Sequence, residues 1–190
     1  MRIVAGRHRG RRLKTLPGAD IRPTADRVRE ALFNILGHGR WARAGGGVAG
    51  ARVVDLFAGS GALGFEALSR GAGHVTFVDQ GAAACRLIEQ NAETLGEGDR
   101  VMILKRDATR LGTAPVRHDL AFLDPPYRSG LAAPALEALA AAGWLAAGAL
   151  AVVELAKREE LSPPEGFELL DQRSYAATQV LFLDYSRVKT

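Results

Sequence analysis

From residue 48 onward the chain alternates short apolar runs with amphipathic ones, and this alternation restricts the fold more than any other feature. Period-two and continuous apolar segments predict strands over 52–57, 74–79, 101–105, 119–124 and 149–154. Segments of helical period predict helices over 62–70, 82–95 and 131–142. Strands separated by helices imply a mostly parallel, doubly wound α/β sheet with helices on both faces. The last two predicted strands, 167–175 and 178–185, have only Ala176 and Ala177 between them and must be antiparallel neighbours. Ahead of this core, Gly6, Gly10 and Pro17-Gly18 suit a small hairpin over 2–16. A helix over 24–36, opened by Pro23, carries Val28, Leu32, Ile35 and Leu36 on one side, and Gly45-Gly46-Gly47 reads as a linker. The expected division is an N-terminal extension, 1–47, and a core, 48–190.

At 190 residues the chain can bury one well-formed core, and 47% hydrophobic with 24% charged residues excludes a disordered or collagen-like chain. The charge is unevenly spread. Residues 1–52 hold 12 Arg and Lys against three acids, net +9, and the remainder holds 13 against 18, net −5. Basic character concentrated in one segment is the footprint of a polyanion partner such as a nucleic acid. The one cysteine, Cys85, lies in a helical stripe with Ile88, Ala92 and Leu95 and is expected in the core. His8, His38, His74 and His118 have no metal-ligand spacing, so no metal site is expected. The Arg-rich start lacks a signal-peptide core, and the nearly uncharged 131–156 stretch is broken by Pro134, Glu137, Gly143 and Gly148. A membrane role is therefore not expected, and a cytoplasmic location is.

Asp55-Leu-Phe57-Ala58-Gly59-Ser60-Gly61-Ala-Leu-Gly64 stands where a strand turns into a helix. Its glycines satisfy G-x-G-x-x-G, which permits a tight turn and close approach of a ligand to the backbone. Asp79 ends the next strand, 20 residues after Gly59, where a carboxylate can bond the ribose hydroxyls of a nucleoside cofactor. Asp55 beside the turn would repel a pyrophosphate and attract a cationic amino-acid moiety, which S-adenosylmethionine has and NAD lacks. Asp107-Ala108, after the third strand, is either an adenine-binding acid with its neighbour or a surface aspartate or cap.

Asp124-Pro125-Pro126-Tyr127 follows the fourth strand and resembles the signature of methyltransferases acting on amino groups conjugated to a planar system. Such an amine is a weak nucleophile because its lone pair is delocalised into the ring. A carboxylate and a proline carbonyl holding its two N–H groups favour a pyramidal nitrogen, the paired prolines stiffen the loop, and Tyr127 offers a stacking face for a base. Nothing in these four residues separates guanine N2 from adenine N6.

With these motifs in view, the chain resembles the RsmD family, bacterial enzymes that methylate N2 of a guanine in 16S ribosomal RNA. The likeness is carried by the Arg-rich start 2–11, by 22–34, by 55–72 and by 124–127. It implies a Rossmann-like class I methyltransferase with a seven-stranded sheet closed by a C-terminal hairpin, and S-adenosylmethionine as cofactor. It also implies the small ribosomal subunit or its assembly intermediate as substrate; a monomer is expected, though nothing in the sequence fixes the oligomeric state. By the same resemblance Arg7, Arg9, Arg11, Arg12, Arg22, Thr24, Arg27 and Arg29 would contact RNA. A DNA amino-methyltransferase, an inactive RNA-binding assembly factor and an NAD-dependent dehydrogenase are the alternatives.

Overall fold

Seven strands form one sheet in a computed structural model that describes residues 1–15, 23–37 and 47–186. The elements are α1 (Pro23–Gly37), β1 (Arg52–Leu56), α2 (Ala62–Ser69), β2 (His74–Asp79), α3 (Ala82–Leu95), β3 (Val101–Lys105), β4 (His118–Leu123), α4 (Ala132–Ala141), β5 (Leu145–Ala156), β6 (Phe167–Ser174) and β7 (Thr178–Tyr185). Strand order is β3-β2-β1-β4-β5-β7-β6. β1 to β5 run parallel, and β7 lies antiparallel to both β5 and β6. The order reverses between β1 and β4, which is where an open α/β sheet forms a ligand crevice.

The position of β7 follows from its residues. Val180-Leu-Phe-Leu183 is an uninterrupted apolar run with every side chain buried, as a strand covered on both faces requires. β6 carries Glu168, Asp171 and Arg173 on a largely exposed segment and takes the edge, where charge discourages further pairing.

The core has two layers. Successive side chains of β1 alternate between them, Val53 on one face and Val54 on the other. One face carries α1, α2 and α3 against Val53, Phe77, Phe122 and Val152, the other α4 against Leu56, Ala121 and Val153. Cys85 joins Ile88, Ala92 and Leu95 on the buried stripe of α3, as the spacing predicts.

Two sequence expectations need correction. Gly148 does not separate a turn from a strand. β5 begins at Leu145 and passes through Gly148 at φ +75°, and the register against β4 slips between His118↔Leu145 and Leu120↔Leu150, so the glycine forms a bulge inside one long strand. The hairpin over 2–16 is reduced to a single antiparallel bridge, Arg2↔Arg12. It is supported by Ile3 N–H to Arg11 O (2.9 Å) and Leu13 N–H to Met1 O (3.1 Å), while Pro17-Gly18 lies outside the described residues.

This N-terminal arm is sewn to the rest of the chain. Ile3 and Leu13 are buried in the α1–α3 layer together with Val28, Leu32, Phe33 and Leu36. Glu66 of α2 is fully buried and accepts the Val4 and Ala5 amides (2.8 and 3.1 Å) and Arg70 Nε (2.7 Å), with Arg29 Nε at 3.8 Å. Gly6, at φ +80°, is required here, since a Cβ would lie 1.9 Å from the Ser69 carbonyl oxygen. Among the described residues no helix is long and apolar enough to cross a membrane, and no group of three or more His, Cys, Asp and Glu could hold a metal ion.

Candidate active site

Parallel strands bring their C-terminal ends to one edge, and there the sequence supplies an acid on each of four adjacent strands: Asp79 ending β2, Asp55 near the end of β1, Asp124 after β4 and Glu154 near the end of β5. A cleft of about 610 Å³ opens at this edge, within the range that encloses a nucleoside-sized ligand. It is lined by Phe57, Asp79, Gln80, Arg106, Asp107, Ala108 and Thr109 on one side and by the whole Asp124-Pro125-Pro126-Tyr127 tetrad on the other. The two motifs read separately from the sequence thus face a common space.

On the β1–β2 side the glycine turn is held by carboxylates. Asp79 accepts the Gly59 amide (2.9 Å) and the Gly81 amide (2.8 Å), so its position is set by the turn it faces. Ala58 donates its amide to Val78 O (3.2 Å), and Phe57 enters the turn at φ +58°, a conformation that costs a non-glycine residue about 1 kcal/mol or more and concentrates at functional sites. Gly61 and Gly64 pack away from the cleft. A Cβ on Gly64 would lie 2.2 Å from the Phe77 ring, so the motif's last glycine serves helix-to-strand contact. Ser60 gives its carbonyl to Asn91 Nδ2 (3.1 Å), while the same carboxamide exchanges two hydrogen bonds with the Lys14 backbone (2.9 and 3.1 Å).

Asp55 departs from its expected placement. It is 2% exposed, accepts the Gly64 amide at 2.9 Å and is absent from the cleft lining. Burial pushes its carboxyl well above the usual range, only partly opposed by the Gly64 N–H, with Asp124 and Asp79 adding to the rise. Asp55 therefore holds the glycine turn through Gly64 and does not face the cleft as a lure for a cation. Asp107 both lines the cleft and closes a local turn, accepting Thr109 N–H (2.9 Å) and Oγ–H (2.8 Å), which hold its carboxyl below the usual range. No helix follows it, so it caps none.

On the β4 side Pro125 is buried, and the Pro126 carbonyl accepts Ser129 N–H (3.2 Å), closing a turn. Tyr127 is 49% exposed and donates its hydroxyl to Glu154 Oε1 at 3.2 Å. Asp124 meets solvent in the cleft with protein around its other sides; that burial, reinforced by Glu154, raises its carboxyl. Glu154 was not singled out from the sequence. An acid closing an apolar run resembles any strand end, and the available signal was that neighbouring strands also end in acids.

The basic residues separate into groups. Arg9, Arg11, Arg12 and Arg27 are exposed, and Arg9 and Arg27 line a groove of about 470 Å³ between the arm and α1, with Arg2, Asp26 and Glu30. Arg7 is half exposed and paired with Glu97 at 2.6 Å. Arg29 corrects the expectation of an RNA contact. It is 5% exposed and bonds Arg2 O (2.7 Å) and Asp26 (2.9 Å) beside Glu66, so it serves the docking of the arm. Arg22 lies outside the described residues; Thr24 falls within α1, its side chain outside them.

The family model described as conserved hypothetical protein 95 matches residues 1–184. The Escherichia coli K12 protein named ribosomal RNA small subunit methyltransferase D is 36% identical over 188 residues, covering 98% of this chain and 90% of its own length. A Haemophilus influenzae protein of the same name is 36% identical over 178 residues, covering 92% and 88%. A solved Escherichia coli structure matches 98% of both chains with a TM-score of 0.80 at 35% identity. A ribosomal protein L11 methylase from Lactobacillus delbrueckii shares the fold alone, with a TM-score of 0.61 at 15% identity over 86% of this chain and 78% of its own.

Proposed function

Since this chain belongs to the RsmD family, matched from residue 1 to 184, we propose that it transfers a methyl group from S-adenosylmethionine to the exocyclic N2 of a guanine in 16S ribosomal RNA. It is a methyltransferase with a Rossmann-like class I fold. The observation that carries the finer reading is the shared cleft, in which Asp124-Pro-Pro-Tyr127 faces Asp79 and Asp107 across the switch point of the sheet.

The residues present fit the cofactor. Asp79, immobilised by two turn amides, would take the ribose hydroxyls, and Asp107 with Ala108 would border the adenine. The Phe57-Ala58-Gly59-Ser60 turn, which reaches the cleft through Phe57, would border the remainder. When bound, S-adenosylmethionine supplies an electrophilic methyl group on a sulfonium.

The protein's part is orientation and proton acceptance. Tyr127 would stack on the base. The Asp124 carboxylate and a proline carbonyl of the tetrad would be the acceptors for the two amine hydrogens, with the Pro126 carbonyl already accepting one hydrogen bond from Ser129. Holding both hydrogens favours a pyramidal nitrogen whose lone pair is no longer delocalised into the ring, and Asp124 takes the proton that the methylated nitrogen releases.

In this reading residues 1–47 form the RNA-binding extension and 48–190 the catalytic core. Arg9, Arg11, Arg12 and Arg27 meet phosphates of the small subunit or its assembly intermediate, with Arg7 at the margin of that surface. The enzyme acts as a cytoplasmic monomer. The test incubates the protein with isotopically labelled S-adenosylmethionine and unmethylated small subunits, protein-free 16S RNA or duplex DNA, then separates the nucleosides. Label in N2-methylguanosine is the expected result, and label confined to DNA overturns the reading. Asp124→Ala should abolish turnover and retain cofactor binding by calorimetry; loss of both would remove Asp124 from the role given to it.

A further inference from the structure

The row of acids at the strand ends continues past Asp124. Leu123 pairs with Val153, so Asp124 and Glu154 follow as neighbours across β4 and β5, and Ala156 pairs with Thr178 at the same edge. Asp79 is three strands from Glu154, on the opposite side of β1 and β4. Glu154 does not itself line the cleft; it meets Tyr127, which does, on the side away from the nucleoside-facing acids, where the methyl acceptor would lie.

We propose that Glu154 is a positioning residue for methyl transfer, fixing Tyr127 through its hydroxyl and acting with its charge on Asp124. The proposal rests on the role given to Asp124 above. An amine that exchanges N–H for N–CH3 releases one proton: the N–H bond breaks, its electron pair stays on nitrogen, sulfur keeps the pair of the broken S–C bond, and the proton passes to the Asp124 carboxylate. A second carboxylate alongside makes that proton easier to accept.

Several contacts support this assignment. Tyr127 Oη donates to Glu154 Oε1 at 3.2 Å. The loop beyond is braced by Glu159, whose Oε2 accepts Arg128 N–H (2.9 Å) and Ala156 N–H (3.2 Å), while Arg128 sits at φ +57°. β5 and the turn that follows it thus hold the catalytic loop at two points. The buried Thr178 Oγ has no hydrogen-bond partner at ordinary distance and lies close enough to Glu154 to favour its charged form.

Among the described residues, the charged and titratable groups around the pair are Asp55 from β1, Tyr127 from the β4 loop, Arg29 from α1, and Tyr175 beside β7. Burial raises both carboxyls, Glu154 adds to the rise at Asp124, and Tyr127, Thr178 and Arg29 restrain it at Glu154.

The experiment follows the side-chain carboxyl carbon of Asp124 by NMR against pH in full-length wild type, Glu154→Gln, Glu154→Asp and Tyr127→Phe, all without cofactor. Single-turnover methylation of small subunits is measured over the same pH range, and circular dichroism confirms folding. In E154Q the Asp124 midpoint should fall by about one pH unit. The acidic limb of the rate profile should move with it, and the rate should drop roughly ten- to hundredfold with cofactor affinity unchanged. Y127F and E154D, which weaken the tyrosine contact but keep the charge, should lower the rate while leaving the midpoint in place. An unmoved midpoint in E154Q, or equal movement in E154Q and Y127F, overturns the proposal. Wild type that methylates no RNA would instead refute the substrate reading, and the NMR midpoints would still decide the coupling.

Discussion

His118 at the start of β4 is fully buried, with Nε2 2.9 Å from Thr76 Oγ and Nδ1 3.1 Å from Trp144 O. A carbonyl can only accept, so Nδ1 carries the hydrogen; burial disfavours the charged ring, and in the neutral ring Nε2 accepts the Thr76 hydroxyl. Burial lowers its pKa from 6.5 to about 4. The unfolded chain takes up a proton as pH falls through 6.5 while the folded chain refuses it until about 4, so this contribution is full above 6.5 and is lost on acidification between those values. It amounts to roughly 3 kcal/mol. The raised carboxyls of Asp55, Asp124 and Glu154 act in the opposite sense, because the folded chain holds their protons longer as pH rises. The histidine is isolated by differencing. His118→Asn should melt lower than wild type at pH 7 and close that gap as pH approaches 4.5, and a gap independent of pH would contradict the assignment. If Asp79 takes the ribose as proposed, Asp79→Ala should weaken S-adenosylmethionine binding at least about tenfold by calorimetry, because two turn amides lose their acceptor as well.

At the scale of elements, α2 and the N-terminal arm stand or fall together. Glu66→Ala strips acceptors from Val4 and Ala5, takes from the partly buried Arg70 the carboxylate that pairs with its Nε, and leaves the buried Arg29 with Asp26 alone. A loss of about 3–5 kcal/mol in chemical denaturation is expected, with early proteolysis of the arm. Little of this could be read in advance, because Glu66 meets residues 61 and 62 positions away and Asn91 meets Lys14 across 77. Periodicity reports only a helix and its buried face. The elements themselves were legible wherever they obey a local rule: the helices of the core, the glycine turn and strands β1 to β4 begin and end within a residue or so of where the spacing puts them, while β5 starts four residues earlier. Gly148 was misread because a glycine in an apolar run signals a turn or a bulge alike, and only the register against β4 distinguishes the two. Glu154 was missed for a related reason: a strand-end acid becomes part of a site only once the neighbouring strand is known.

Across the whole molecule, positive charge is gathered on the first 52 residues, net +9, while the rest carries net −5. Counting charges could not show that Arg29 faces inward while Arg11 and Arg12 face out. If the outward ones meet phosphate, the double variant Arg11→Ala/Arg12→Ala should weaken RNA binding and flatten the slope of log affinity against log salt by about 1.4–1.8. Filter binding over a series of salt concentrations measures this, and an unchanged slope would exclude both residues from the interface.

The placement of β7 has a further consequence for how the chain is made. Residues 178–185 are translated after all the other strands, yet they lie between β5 and β6 and hydrogen-bond to both. Until they emerge from the ribosome, the twelve-residue flank of β5 is an open template and β6 has no neighbour. The nascent protein must therefore wait with an unfinished sheet, and a message cut short before codon 178 would yield a product prone to self-association rather than a smaller working enzyme.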